Sequence, residues 1–175
     1  MDTVNPGFSN ELVDTRELPR FEAVAMTPLH PDYWKVTLIG LGIFFLIAGS
    51  ALGVLIYYNP ELQPHALWFG AGWALLLILS AAMSRVAFLQ KGYAFREHDV
   101  LFKSGVISIT TTVIPYNRVQ HVALHEAFFS RQYHLAEIRV FTAGGSGSEL
   151  EIPGIPKSQA EDIKQLLMGK IKTAL

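Results

Sequence analysis

A run of 23 residues without a single charge, residues 36–58, constrains this chain more than any other feature of its sequence. A helix of that length is about 34 Å long and can cross a hydrocarbon core of about 30 Å. The residues that flank it are typical of membrane–water interfaces, and they are Tyr33, Trp34 and Lys35 before the run and Tyr57 and Tyr58 at its end. We therefore predict a membrane-spanning helix over residues 36–58.

A second apolar run begins near Ala66 and reaches Met83. Arg85 follows, and the apolar character continues to Leu89. Because a guanidinium near the end of a span can extend to the lipid headgroups, we predict a second span over residues 66–89. The short segment between the two spans contains Pro60 and Pro64, which break the first helix and turn the chain back. The sequence thus predicts an antiparallel transmembrane hairpin over residues 36–89.

The charges of the chain are segregated. It has 14 basic and 15 acidic residues, but only Glu61 and Arg85 lie within residues 36–89. This distribution excludes a single water-soluble globule. The net charge of -1 provides no field to attract nucleic acid, and the lack of cysteine excludes disulfides, zinc–thiolate sites and cysteine nucleophiles. We predict no nucleic-acid partner, no metal and no cofactor.

Basic residues near the ends of the spans predict the orientation of the hairpin. Lys35 precedes the first span, Arg85, Lys91 and Arg96 lie at or after the end of the second, and the turn has no basic residue apart from a histidine. We therefore predict a multi-pass protein with the lipid bilayer as a partner and both termini in the cytoplasm. We expect Arg85, Lys91 and Arg96 to lie near lipid headgroups. No ionisable residue lies in the middle of a span, where transport would need one, so the hairpin is predicted to be an anchor.

Small residues recur at helical spacing in both spans. Gly49 and Gly53 form a GxxxG pair, and Gly70 with Ala74 repeats the pattern in the second span. Such rows let helix backbones approach closely in lipid. Because the partner helix is present in the same chain, we favour packing of the two spans on each other. A homo-oligomer formed through these faces is the alternative.

Residues 90–175 are predicted to form a strand-rich cytosolic domain after a polar tail over residues 1–35. Alternating or β-branched residues favour strands near 93–97, 100–103, 106–114, 119–124, 138–142 and 149–152. Residues 127–134 fit either a helical turn or a loop, and the glycine-rich segment 144–148 suits a hairpin connection. A capping box at Ser158 and an apolar stripe predict a terminal helix. We expect an α+β domain, a small bent antiparallel barrel or sheet that the helix caps.

The order and spacing of several segments in this domain resemble the bacterial PH-like membrane proteins of the YdbS type. The segments are residues 103–106, 111–120, 128–131, 140–145, 152–155 and Ala160. The resemblance extends to the two spans and implies a pleckstrin-homology-like fold, a bent antiparallel sheet with a C-terminal helix, in the bacterial inner membrane. His134 departs from the pattern, because the family often has glycine there. Members are often encoded beside a longer relative with several such domains, so the resemblance also implies a partner of that kind.

Two patterns that could indicate chemistry have simpler explanations. His121 and His125 are followed by Glu126, but a zincin needs His-Glu-x-x-His on a helix, and these residues lie in a predicted strand. The segment 144–148 lacks the lysine of a phosphate-binding loop. A phosphoinositide site would need several converging basic residues, whereas the first predicted turn, residues 97–99, is acidic. We find no nucleophile–base pair and no paired carboxylates, so we predict that the chain is not an enzyme.

Two aromatic and arginine-containing segments are the candidates for partner contact. They are Tyr116, Asn117 and Arg118 in one segment and Arg131 and Tyr133 in the other. Arginine and aromatic side chains are enriched at the centres of interfaces. The structural alternative is that Arg118 supports a turn, while Phe128 and Phe129 fill the barrel or face the bilayer.

The sequence therefore predicts a membrane-anchored PH-like interaction module that recruits or assembles a protein complex at the inner membrane. The partner that we expect is another membrane protein. Two alternatives remain open: a module that binds or senses lipid headgroups, and a non-catalytic subunit of a membrane enzyme or transporter.

Overall fold

A computed structural model of the chain describes residues 24–143 and 149–174. The strands are β1 (Thr27–Pro28), β2 (Gly92–Phe95), β3 (Asp99–Ser104), β4 (Thr110–Pro115), β5 (Val119–His125), β6 (Leu135–Thr142) and β7 (Glu149–Pro156). The helices are α1 (Asp32–Tyr58), α2 (Ala66–Gln90), α3 (Phe128–Gln132) and α4 (Lys157–Ala174). The predicted hairpin connection at 144–148 and residues 1–23 of the predicted tail lie outside the described residues.

The helices α1 and α2 are long and apolar enough to cross a bilayer. Phe45 is the one buried residue that the two helices contain. Soluble proteins rarely expose an apolar patch of more than a few hundred Å². The two helices therefore need an apolar solvent and do not form the core of a soluble domain.

A small contact holds α1 against α2. The rings of Phe45 and Trp73 lie 5.0 Å apart, and a Cβ atom on Gly49 would lie only 2.8 Å from the indole nitrogen of Trp73. Gly49 thus lets Trp73 approach the backbone of α1. A Cβ atom on Gly53 would meet nothing within 4 Å. The role of Gly49 is packing within the hairpin, as the sequence favoured, and a homo-oligomer through these faces stays a prediction.

The seven strands form two antiparallel sheets. Their orders are β1-β2-β3-β4 and β5-β6-β7. Residues of both sheets and of α4 meet in one apolar core, in which Val100, Ile138, Ala160 and Leu167 are completely buried. The predicted α+β class with a capping C-terminal helix is confirmed. Within the described residues the strands make two sheets, and the closed barrel that the sequence analysis offered as one form of this domain is not present.

The first strand precedes the membrane hairpin in the sequence. Thr27 pairs with Tyr93 and Pro28 pairs with Gly92, on opposite sides of α1 and α2 along the chain. The following Leu29 is buried, and the amide of His30 donates a hydrogen bond to the carbonyl oxygen of Gly154 at 2.9 Å. The hairpin is therefore an insertion between two paired strands of the domain. The sequence analysis had placed Thr27 and Pro28 in the tail.

Two local expectations differ from the structure. The strand predicted over 106–114 begins only at Thr110, because Ser104 already pairs with Thr110 and the residues between them form the connecting loop. The ambiguous segment 127–134 contains the short helix α3, and His134 ends it with a φ of 55°, in the left-handed region. Histidine thus adopts the conformation for which glycine is the usual residue.

Candidate functional site

The register of β2 and β3 gives the domain two distinguishable ends. The strand β2 starts at Gly92, immediately after α2, and Gly92 pairs with Lys103 of β3. β2 runs away from α2 to the turn at residues 96–98, and β3 runs back towards α2. We call the end at Gly92 and Lys103 the hairpin end of the domain, and the end at residues 96–98 the far end.

Arg85 lies where α2 passes the start of α1. Its guanidinium carbon is 5.2 Å from the centre of the Trp34 ring and 5.4 Å from that of Phe88. A guanidinium above an aromatic ring is attracted by the electrons of the ring face. Arg85 therefore belongs to an aromatic cluster at the hairpin end, where interfacial residues are expected. Its proximity to lipid headgroups stays a prediction.

Lys91 also lies at the hairpin end, where it lines a cleft of about 290 Å³ together with Lys103. The cleft is bounded by the last residues of α2 and by Met26 and Pro28 of the segment that precedes α1. Neither lysine forms an ion pair with any residue in the described part of the chain. Two uncompensated ammonium groups thus share one cleft beside the hairpin.

The prediction that Arg96 lies near headgroups is not supported by its position. Arg96 follows β2 at the far end, roughly 15 Å from Lys91 along an extended strand. Its guanidinium forms a two-pronged ion pair with Asp99, and the Nε atom is 2.6 Å from Oδ1. The hydrogen bond to Asp99 raises the pKa of Arg96. The charge of Arg96 is thus compensated by Asp99, and its proximity to lipid headgroups stays a prediction.

Tyr116 is a core residue and not part of a contact surface. Its side chain is 5% exposed, and its hydroxyl donates a hydrogen bond to the carbonyl oxygen of Arg96 at 2.7 Å. Its amide donates to the carbonyl oxygen of His98 at 3.0 Å. Burial raises the pKa of the Tyr116 phenol, and the charge of Asp99 adds to this effect. A buried phenol cannot contact a partner, so we correct the sequence prediction at this residue.

Asn117 and Arg118 remain exposed at the far end. With Tyr116 they form a 3₁₀ turn between β4 and β5, and the carbonyl oxygen of Arg118 accepts a hydrogen bond from the amide of Ala143 at 3.2 Å. The backbone of the turn is therefore fixed while both side chains face solvent. The Arg118 guanidinium has no acidic partner among residues 24–143 and 149–174.

Arg131 and Tyr133 lie at the hairpin end, on and just after α3. The ammonium of Lys35 in α1 is 5.8 Å from the centre of the Tyr133 ring, and the guanidinium of Arg131 is 6.0 Å from that of Phe128. Phe128 is 73% exposed. The structure thus separates the two predicted contact segments, because 117–118 and 131–133 occupy opposite ends of the domain and cannot form one surface.

The remaining charged side chains mostly pair with each other. Arg139 on β6 contacts Glu137 at 2.6 Å and lies 3.6 Å from Glu149 and 3.5 Å from Glu151 on β7. The hydrogen bond to Glu137 is the main reason why the pKa of Arg139 is raised. This network lies across neighbouring strands and stabilises the sheet. One guanidinium faces three carboxylates, so the network keeps a net negative charge and offers no free cation for an anionic ligand.

The predicted histidine pair does not form a metal site in the described part of the chain. The ring of His121 stacks on Phe141 with centres 4.2 Å apart. Residues 24–143 and 149–174 contain no group of three His, Cys, Asp or Glu side chains that could hold a metal ion.

Three features of the hairpin end escape the sequence analysis. No local pattern marks Lys103 as part of a site, but the register of β2 and β3 places it opposite Gly92 and near Lys91. The two-residue strand β1 is too short for a recognisable alternation. Gly154, with a φ of 68°, leaves space for Tyr33, because a Cβ atom there would lie 2.8 Å from the ring. A positive φ cannot be read from one glycine in one sequence.

Comparison with known proteins agrees with this architecture. A family model described as Bacterial PH domain matches residues 36–171, which include both long helices and the domain. The UPF0699 transmembrane protein YdbS of Bacillus subtilis (strain 168) is 26% identical over 150 residues, which are 85% of this chain and 91% of that protein. No solved structure matches the chain. The predicted resemblance is confirmed, and together with the two apolar helices it supports a location in the membrane.

Proposed function

The chain belongs to the bacterial PH domain family, and we propose that it is a membrane-anchored interaction module that recruits or assembles a protein complex at the bacterial inner membrane. The module performs no chemistry of its own. Its partner is another membrane protein, by analogy a longer relative with several PH-like domains. A second copy of this chain is the alternative partner.

One observation supports this proposal more than any other. The strand β1, which precedes the hairpin in the sequence, pairs with β2, which follows it. A domain attached by one flexible linker would rotate freely above the bilayer. A domain whose sheet begins before the first span and resumes after the second is fixed to both. The hairpin end therefore faces the lipid, and the far end is held at a constant distance and orientation above it.

The orientation follows from the basic residues at the hairpin end. Lys35, Arg85 and Lys91 lie at this end, whereas the turn at residues 59–65 contains no lysine or arginine. Such a bias places the basic side in the cytoplasm. In the proposed topology the chain spans the membrane twice, and both termini and the domain lie in the cytoplasm.

The far end offers the contact surface. Asn117 and Arg118 are exposed there on a turn whose backbone is fixed, so a partner would not have to order it. Arginine is one of the side chains that most often dominate binding energy at interfaces. Because the anchor confines the domain to the membrane surface, its effective concentration towards another membrane protein is high, and a modest contact suffices.

Photo-crosslinking in native membranes tests the proposal. A photoreactive side chain at Asn117 of the full chain should give a crosslinked product of discrete mass. Arg118→Glu should reduce its yield about tenfold or more, as expected for the loss of a central interface arginine. Arg131→Glu is the matched control, because it reverses an exposed arginine at the opposite end and should leave the yield unchanged.

Both variants should remain in the membrane fraction and unfold at the parental temperature. A discrete product that persists in a folded Arg118→Glu variant would exclude this surface. The lack of any discrete product at Asn117 would contradict an interaction at the far end.

A further inference from the structure

The most exposed apolar side chains of the domain lie at its hairpin end. Outside α1 and α2, the three most exposed large apolar residues in the described part of the chain are Ile107 at 93%, Phe128 at 73% and Ile109 at 53%. Ile107 and Ile109 lie in the loop between β3 and β4, and Phe128 begins α3. All three are therefore next to the junction with the hairpin and not on the far end.

The direction of β3 determines where the loop points. β3 runs from the far end back towards α2, and Lys103 near its end pairs with Gly92, two residues after α2. The loop at 105–109 continues beyond Lys103 on the side of the helices. The chain turns at Gly105, which has a φ of 136°. Only glycine fits there, because a Cβ atom would lie 2.0 Å from the carbonyl oxygen of Ser108. The loop thus holds Ile107, which is 93% exposed, at the end of the domain that joins α2.

The cleft beside this loop has the chemistry of an anion site. Lys91 and Lys103 contribute two ammonium groups without an acidic partner in the described residues, and Leu89, Met26 and Pro28 provide apolar walls.

We propose that this cleft binds the headgroup of an anionic phospholipid from the surrounding bilayer. Lys91 and Lys103 bind its phosphate. Ile107 enters the bilayer beside the bound lipid. The chemical class is thus an anionic phospholipid, and phosphatidylglycerol is the simplest example.

Zwitterionic headgroups fit this cleft less well. Their ammonium group would approach Lys91 and Lys103, and like charges repel each other. The site therefore selects for net negative charge, and its energy adds to that of the hairpin without depending on a protein partner.

The chain has no cysteine, so a single introduced cysteine can carry a reporter. Ile107→Cys in the full chain, labelled with a fluorophore, is reconstituted in phosphatidylcholine nanodiscs. Equal small fractions of brominated phosphatidylglycerol or brominated phosphatidylcholine are then added as quenchers. We expect both lipids to quench the label at position 107 and phosphatidylglycerol to quench it more strongly. A label at Asn117→Cys, at the far end, should be quenched by neither.

Charge variants test the cleft itself. Lys91→Gln and Lys103→Gln should each lower the preference for phosphatidylglycerol roughly fivefold, as expected for a lysine near an anionic surface. Lys103→Arg keeps the charge and should keep the preference, which separates a charge effect from a folding defect. Lys164→Gln on the exposed face of α4 is the matched control and should have no effect.

Three results would overturn the proposal. A label at position 107 that neither lipid quenches would place the loop outside the bilayer. Equal quenching by the two lipids, or an unchanged preference in the folded Lys91→Gln/Lys103→Gln double variant, would show that the cleft does not select an anionic headgroup. None of these results would alter crosslinking at Asn117, so this proposal and the proposed interaction function can fail separately.

Discussion

Apolar side chains point in opposite directions in the hairpin and in the sheet domain. In the domain, Leu101, Ile138 and Ile152 are completely buried, and no polar or charged residue in the described part of the chain is buried with them. In the hairpin, side chains of the same kinds face outward, and Phe45 alone is buried. The residues are chemically alike, so the solvent explains the difference. Water drives apolar groups into a core, whereas lipid accepts them at the surface.

The two regions meet in specific contacts and not through a linker. β1 precedes α1 and pairs with β2, which follows α2. His30 donates its amide hydrogen to Gly154, and the ring of Tyr33 packs against the same glycine. The sheet of the domain thus includes strands from both sides of the two-helix insertion. This pairing lets one chain place its domain in water and its helices in lipid while the two regions stay in direct contact.

The largest effect should come from the same substitution made once in each region. Ile138 is 0% exposed in the domain, and Ile138→Ala should lower the free energy of unfolding by about 2–5 kcal/mol because it leaves a cavity. Ile47 is 64% exposed on α1, and Ile47→Ala should lower it by about 0.5 kcal/mol or less. Urea unfolding of the full chain in nanodiscs, followed by the circular dichroism of the sheets, measures both. Equal losses in the two variants would contradict the conclusion that apolar side chains are buried in the domain and face outward in the hairpin.

A glycine pair tests the contact between the regions. Gly154→Ala forces a side chain into the left-handed region and into the ring of Tyr33, so we expect a loss of about 1–3 kcal/mol. The amide of His30 should also exchange with deuterium faster. Gly72→Ala in α2, where a Cβ atom meets nothing within 4 Å, should leave both quantities unchanged. Slow exchange at His30 in a folded Gly154→Ala variant would show that this contact does not couple domain and hairpin.

A smaller gain is expected at the end of α3. His134 has a φ of 55°, so His134→Gly should raise the free energy of unfolding by about 1 kcal/mol. His125→Gly, in the strand β5, should instead lower it because glycine weakens a strand. Thermal unfolding of both variants distinguishes the two backbone conformations. A loss of stability in His134→Gly would mean that the imidazole itself stabilises the turn.

We expect the smallest effect from the buried phenol of Tyr116. Burial raises its pKa above the ordinary value of 10.0. The folded state therefore favours the neutral phenol, and this contribution to stability is complete below about pH 10 and is lost as the pH rises through the raised pKa. Unfolding midpoints measured from about pH 8 to about pH 11 should fall less steeply in Tyr116→Phe than in the parent. Tyr93, whose pKa burial also raises, should retain part of the slope. Identical slopes would exclude Tyr116 as a source of the alkaline loss.

Features with a long or repeated pattern could be predicted from the sequence. The uncharged run at 36–58 is sufficient to predict α1, and alternation on both sides of the turn predicted at 97–99 predicts β2 and β3, which the structure connects through residues 96–98. Ala160 and Leu167 of the predicted stripe are buried in α4, although Leu166 is 48% exposed.

Features that depend on tertiary contacts could not be predicted. β1 has two residues, and only its partner strand makes it a strand. Tyr116 is an aromatic residue of a kind that is enriched at interfaces, but the packing of the domain core buries it. Lys103 and Lys91 are twelve positions apart in the sequence and meet only through the register of β2 and β3. Local sequence contains none of these long-range pairings.

The pairing of β1 with β2 around a membrane-embedded hairpin is the central claim, and a disulfide between their positions tests it most directly. The chain has no cysteine of its own, and Thr27 lies opposite Tyr93. Thr27→Cys/Tyr93→Cys, oxidised in isolated membranes, should form an intramolecular disulfide that shifts the gel mobility of the sedimented chain. Thr27→Cys/Thr112→Cys, about 14 Å apart across three strand spacings, should not. A chain that stays in the supernatant, or a Thr27–Tyr93 pair that crosslinks no better than this control, would contradict the account.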